Sequence, residues 1–257
     1  MMNVLILGDI FGRPGRNMVK EHLPQLIETH KPELVVANGE NAAGGFGLTK
    51  KVAEELFALG IHVLTSGNHI WDQKEMYTYI DLEPRILRPA NYPPEVPGSS
   101  VYIYRSSTAV VAVINLIGRT FMGDYDCPFR TADSILAGLP EEVTHIIVDF
   151  HAEATSEKIA LARYLDGRIS ALVGTHTHVA TADEQILPNG TAYVTDLGMC
   201  GPVDSVLGVD PEAVIKKFLT QLPSRFSVAK GPASLTGVVI GLNSDGTAAK
   251  IFRVKVG

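Results

Sequence analysis

Cysteine is scarce in this chain. Only Cys127 and Cys200 occur in 257 residues, and neither sits in a CxxC or zinc-ribbon spacing. That excludes a disulfide-stapled scaffold and a thiolate zinc site. Two reduced thiols in a cytoplasmic protein are expected instead. Basic charge is also short, with 22 Lys and Arg against 28 Asp and Glu and a net charge of −6. An extended grip on a nucleic-acid backbone is therefore not expected, although a small nucleotide could still meet a local positive site. No apolar run approaches the ~18 residues that would span a bilayer. The opening MMNVLILGDIFGRPGR is apolar for only a few residues and lacks a basic leader, so it reads as a strand rather than a signal peptide. No Gly-Lys-Ser/Thr follows the glycines Gly44, Gly45 and Gly47, which excludes a phosphate-binding P-loop. That loop is expected to let the backbone pass close to a site.

What is present is an ordinary globular balance, 46% apolar and 19% charged residues, enough for one large core. Short apolar runs alternate with helical patterns. Strands are expected at Val4–Leu7, Leu34–Ala37 and Ile61–Thr65, with helices near 15–30, 49–59 and 72–80. Val101–Tyr104 and Ala109–Ile117 read as a hairpin. Further strands are expected at His145–Val148, Ala171–Val173, Ala192–Thr195, Val238–Leu242 and Ala248–Lys255, with helices near 156–166 and 211–222. The rhythm predicts an α/β fold of two sheets with helices outside, in a single domain spanning 1–257. The stretch 118–133 reads as a long irregular loop, with a substrate-covering or subunit-contact role and plain packing both open, and 195–208 as a loop that follows a strand and lines the pocket.

The informative pattern is positional. Five apolar runs each end in residues able to bind a metal: VLILG in Asp9, LVVANG in Glu40 and Asn41, IHVLTSG in Asn68 and His69, HIIVDF in His151, and ALVGT in His176 and His178. Ligands of open α/β sheets gather outside the carboxyl ends of the strands, so these five clusters should converge. Carboxylates bind and bridge hard cations, while imidazole suits iron, manganese and zinc. An ion pair about 3.5–4 Å apart can generate hydroxide near neutral pH and clamp a phosphoryl group. Each cluster alone has a plainer reading. Asp9 could cap a helix, and His151 could be a satisfied core histidine. Jointly they predict a metal pair. His22, His30, His62 and His145 read as surface or packing residues, and Arg13 and Arg16 as solvated arginines at a helix start.

At these residues the chain resembles the calcineurin-like metallophosphoesterases, whose pattern runs D-x-H, G-D, G-N-H-[DE], H and G-H-x-H. Two departures stand out: Phe11 replaces the D-x-H histidine, and Glu40 replaces the bridging aspartate. Both departures, with the stretches GDIFGRPGR, GENAAGG, DFHAEATSEK and GTHTHV, resemble the YmdB-like bacterial branch over nearly the whole chain. The resemblance implies a four-layer αββα sandwich and hydrolysis of small phosphodiesters, with 2′,3′-cyclic nucleotides as favoured substrates. It implies that Asp9, Asn41 and His178 hold one metal and Asn68, His151 and His176 the other. Glu40 then bridges, with hydroxide held between the ions as nucleophile and His69 as general acid. Iron or manganese suit this set best, and zinc is compatible. The alternatives are a phosphomonoesterase or RNA nuclease on the same site, or a non-catalytic nucleotide-sensing protein. A homo-oligomer is left open.

Overall fold

A computed structural model describes residues 1–257. The first third of the chain contains β1 (Met2–Leu7), β2 (Asp9–Ile10), α1 (Gly12–His30), β3 (Leu34–Asn38), α2 (Lys50–Ala58), β4 (Val63–Thr65) and α3 (Met76–Tyr79). The middle holds β5 (Val101–Arg105), β6 (Val110–Ile117), α4 (Pro128–Gly138), β7 (His145–His151), α5 (Thr155–Leu165) and β8 (Ala171–Thr175). The last part adds β9 (Gln185–Ile186), β10 (Ala192–Val194), β11 (Met199–Pro202), α6 (Pro211–Thr220), β12 (Ala233–Leu242) and β13 (Ala248–Val256). No helix is long and apolar enough to cross a membrane.

These elements form two mixed sheets. One runs β2-β11-β12-β1-β3-β4, with β13 also on β12. The other runs β5-β6-β7-β8-β10-β9. The alternation of side chains along β1 explains the stacking. Val4 and Ile6 join a buried cluster with Val36, Val113, Val173 and Ile240, which lies between the sheets. Leu5 and Leu7 turn the other way, against Val19 and Leu23 of α1 and Leu56 of α2. A third cluster places Leu116, Phe150 and Leu172 against Leu161 and Leu165 of α5. The result is helices, sheet, sheet, helices, the expected αββα sandwich. The central strands, covered on both faces, are largely apolar, whereas the partly exposed β13 carries Lys250, Arg253 and Lys255. Each fully buried Leu or Val contributes roughly 1.5–3 kcal/mol.

The sequence expectation and the structure differ in two places that matter for the site. The end of the expected irregular loop, from residue 128 on, is helical: α4 begins at Pro128, a favoured first helical residue, and packs Phe129, Ala132 and Leu136 towards the outer core. The short strands β2 and β11 were not expected either. They are two and four residues long, pairing Met199 with Asp9 and Cys200 with Ile10 in parallel. Asp9 is thereby held in a sheet rather than a loop.

Candidate metal centre

The carboxyl ends of β1–β2, β3 and β4 lie at the same edge of the sandwich as those of β7 and β8. From the first sheet come Asp9, Glu40, Asn41, Asn68 and His69. From the second come His151, His176 and His178. The structure brings all seven expected ligand residues together. His151 Nε2 lies 3.1 Å from Glu40 Oε1, 3.2 Å from Asn68 Oδ1 and 3.0 Å from His176 Nδ1. His178 Nε2 lies 3.6 Å from Asp9 Oδ1 and 3.3 Å from Asn41 Nδ2. Asn41 Nδ2 also donates to Glu40 Oε1 at 3.3 Å, and the His176 amide donates to Asp9 Oδ2 at 3.3 Å. Asp9, Glu40 and His151 are almost wholly buried.

Electrostatics explain how the core tolerates such a cluster. Burial pushes the Asp9 carboxyl upward, yet His178 beside it at 3.6 Å, helped by His151, holds it at about 2. Reciprocally, burial lowers His178, but Asp9 lifts it to about 9. Glu40 and His151 repeat the exchange: burial opposes both charges, and each partner overcomes it for the other, lowering Glu40 and raising His151. His176 differs, because the nearby Glu40 and Asp9 charges raise it too little to offset burial. Burial and the neighbouring His151 charge push it down to about 3.

A metal fits this donor set. Asp9 Oδ1 is buried without a hydrogen-bond partner, a costly arrangement that a cation relieves. His151 Nε2 faces three potential electron-pair donors, and one ring proton can satisfy only one of them. Glu40, His151 and His176 also offer ligand atoms within 4.8 Å of one another.

A buried polar layer beneath the cluster joins the sheets. Asn38 Nδ2 lies 3.3 Å from His151 Nδ1, whose other neighbour is Thr175 Oγ1 at 3.0 Å. Thr175 donates to Asp149 at 2.7 Å, and Thr65 donates to the same carboxyl from the other sheet. Burial raises Asp149 to about 6 against those two hydroxyls. The packing is tight here. A Cβ on Gly67 would fall 2.1 Å from His151 Cδ2. Gly67→Ala is therefore expected to displace that ring, cost about 1–3 kcal/mol and weaken metal binding, read by thermal unfolding and metal titration.

His69 stands apart from the converging nitrogens. Its amide donates to Glu40 Oε2 at 3.0 Å, while its Nδ1 lies 2.8 Å from Asp72 Oδ2. Phe11 is buried and meets the His178 ring edge-on at 5.5 Å, so the position of the lost histidine serves packing. The loop 195–208 does reach the site, because His178 Nδ1 lies 3.0 Å from the Leu207 carbonyl. Arg16 departs from its expected role. It is not solvated: it donates to the Ala42 carbonyl at 2.6 Å and pairs with Glu55 at 3.3 Å, bracing the loop after Asn41. Cys200 is buried, with its thiol pushed up to about 12 by burial, and is no nucleophile.

Sequence reasoning missed several supporting groups. Asp72 follows His69 by three residues and Glu153 follows His151 by two, but nothing marks either as a site residue. Asp196 ends the apolar run of β10, the same signal that revealed the ligands. Its carboxylate accepts from Thr177 N at 3.1 Å, Thr177 Oγ1 at 2.8 Å and Gly198 N at 2.8 Å. Lys158 Nζ meets it at 2.8 Å in a buried ion pair. This pair fixes Thr177 between His176 and His178, whose φ values of 100° and 64° lie in the left-handed region.

Comparison with known proteins places the chain in a family. The profile of the YmdB-like protein family matches residues 5–254. A Bacillus subtilis protein named 2′,3′-cyclic-nucleotide 2′-phosphodiesterase is 50% identical over 256 residues, covering 99% of this chain and 97% of that one. Among solved structures, a hypothetical protein from Thermus thermophilus superposes with a TM-score of 0.95 at 39% identity, covering 99% of both chains. A phosphatase from Mycoplasma pneumoniae follows with a TM-score of 0.93 at 34% identity, covering 99% of this chain and 93% of that one. With a profile match across almost its full length and half of its residues shared with the Bacillus protein, the chain belongs to the YmdB-like family of hydrolases.

Proposed function

We propose that this chain is a dinuclear-metal phosphodiesterase for small phosphodiesters, 2′,3′-cyclic nucleotides foremost. The observation that carries the metal part is the crowding at His151 Nε2, where Glu40, Asn68 and His176 each bring a donor within 3.0–3.2 Å. The substrate part rests on the name and 50% identity of the Bacillus relative. Asp9, Asn41 and His178 would hold one ion, Asn68, His151 and His176 the other, and Glu40 would bridge. Iron or manganese is the proposed metal, with zinc the alternative. The ions would supply a hydroxide nucleophile and neutralise charge on the phosphoryl group.

The chain's own residues supply the rest. Asp9 and Glu40 are the only charged protein ligands, so the loaded pocket stays net positive and attracts a phosphodiester anion. The buried layer of Asn38, Thr175 and Asp149 holds His151 in one orientation. His69 carries the leaving-group chemistry. With Nδ1 engaged by Asp72, its Nε2 is the nitrogen left to protonate the departing alkoxide. Opening the five-membered cyclic ester breaks one P–O bond and needs one such proton.

The test is metal analysis of purified protein beside a panel of 2′,3′-cyclic nucleotides, phosphomonoesters and short RNA. Two ions per chain and highest kcat/KM on the cyclic nucleotides are expected. A preference for monoesters or RNA would replace the substrate assignment. Tight nucleotide binding without turnover under iron, manganese and zinc would make the chain a sensor.

A further inference from the structure

Each of the three clustered histidines presents one ring nitrogen to the cluster and has the other engaged outside it. His151 turns Nε2 inward and Nδ1 towards Thr175 Oγ1 at 3.0 Å. His178 turns Nε2 inward and Nδ1 towards the Leu207 carbonyl at 3.0 Å. His176 is reversed. Its Nδ1 faces His151 Nε2 at 3.0 Å, and its Nε2 lies 3.1 Å from Glu153 Oε2. Glu153 is therefore the one charged group among these outer partners.

Its setting makes the contact more than a passing one. Glu153 follows His151 by two residues through the fully buried Ala152, so its backbone is anchored to the ligand strand. No lysine or arginine pairs with its carboxylate, and no backbone amide donates to it, unlike the nearby Glu157, which accepts from the backbone amides of Arg119 and Thr120. It is half-exposed beside a pocket assigned above to an anionic ester. A carboxylate there opposes the substrate's charge, so its benefit must lie elsewhere. His176 also needs a tether, because its backbone φ of 100° is one that residues with a side chain rarely adopt.

We propose that Glu153 is the positioning residue of His176: it holds the proton on Nε2 and so leaves the Nδ1 electron pair free for the metal. A carboxylate behind a ligating imidazole fixes the tautomer, orients the ring and strengthens it as a donor. Removing such a partner weakens metal binding by about 10–100-fold. The inference rests on the metal reading of the preceding section, and the experiment separates the two.

Metal-stripped protein is titrated calorimetrically with Mn2+, and the metal-free forms are compared by thermal unfolding. The wild type is expected to bind two ions. Glu153→Ala is expected to weaken one of the two sites by about 10–100-fold while leaving the other site and the metal-free unfolding temperature unchanged. Glu153→Gln keeps an oxygen acceptor and is expected to recover most of that loss. Two wild-type affinities in Glu153→Ala would overturn the positioning role and leave the metal reading standing. Equal weakening of both sites together with a lower metal-free unfolding temperature would make Glu153 structural and overturn it too. A wild type that binds no Mn2+ would overturn the metal reading and this inference with it.

Discussion

His69→Ala is expected to lower kcat on a 2′,3′-cyclic nucleotide by about 10²–10⁴-fold, the usual contribution of a positioned general acid, with metal content at the wild-type level. The argument is geometric. None of the contacts that draw His151, His176 and His178 around Asp9 and Glu40 includes the His69 ring. That ring instead meets Asp72 and packs edge-on against Phe46 with centroids 5.3 Å apart. Its link to the cluster is the backbone amide on Glu40 Oε2, which alanine keeps. Glu40→Gln is the necessary contrast. It removes one of only two protein charges in the ligand set, so metal and activity should fall together. Elemental analysis and steady-state kinetics on the same preparations separate the outcomes. Metal loss in His69→Ala would turn that residue into a ligand and leave the reaction without an identified acid.

The strand-end pattern was legible because of how the sandwich is built. Strands covered on both faces are largely apolar, so metal-competent residues clustered at the end of each run mark its carboxyl end. Asp9, Glu40, Asn68, His151 and His176 are announced in this way. Groups that act from behind are not. Asp72 lies in a turn, Glu153 in the approach to α5, and Lys158 on a helix face where a lysine ordinarily reaches solvent. Only the folded chain shows that this lysine is buried. The short strands β2 and β11 escaped for a related reason. They exist because Asp9 and Met199 are brought side by side, and two to four residues carry no periodicity. The helix α4 was hidden by the aromatic, glycine-containing segment before it, although Phe129, Ala132 and Leu136 keep helical spacing.

Asp196→Ala is expected to destabilise the protein by about 3–5 kcal/mol, the cost of breaking a buried ion pair from one side. For a chain of this size that lowers Tm by roughly 10 °C. Lys158 is fully buried and its ammonium has no partner other than Asp196, so alanine at 196 strands a charge in the core. Lys158→Met should cost less. Its apolar stem already packs near Gly174, and the Asp196 carboxylate left behind still accepts from Thr177 N, Thr177 Oγ1 and Gly198 N. The asymmetry is the diagnostic. If the two variants cost the same, the pair acts through mutual attraction alone, and Asp196 is no anchor for the loop. The anchor matters because the loop it holds is strained. Non-glycine residues with positive φ cost roughly 1–3 kcal/mol each, and His176 and His178 both adopt such values around the pinned Thr177. Without the carboxylate the loop can relax, and the two histidines lose the spacing that faces one towards His151 and the other towards Asp9. Asp196→Ala should therefore weaken both metal sites as well as the fold, whereas Lys158→Met, with the loop bonds intact, should weaken the fold and largely spare the metals.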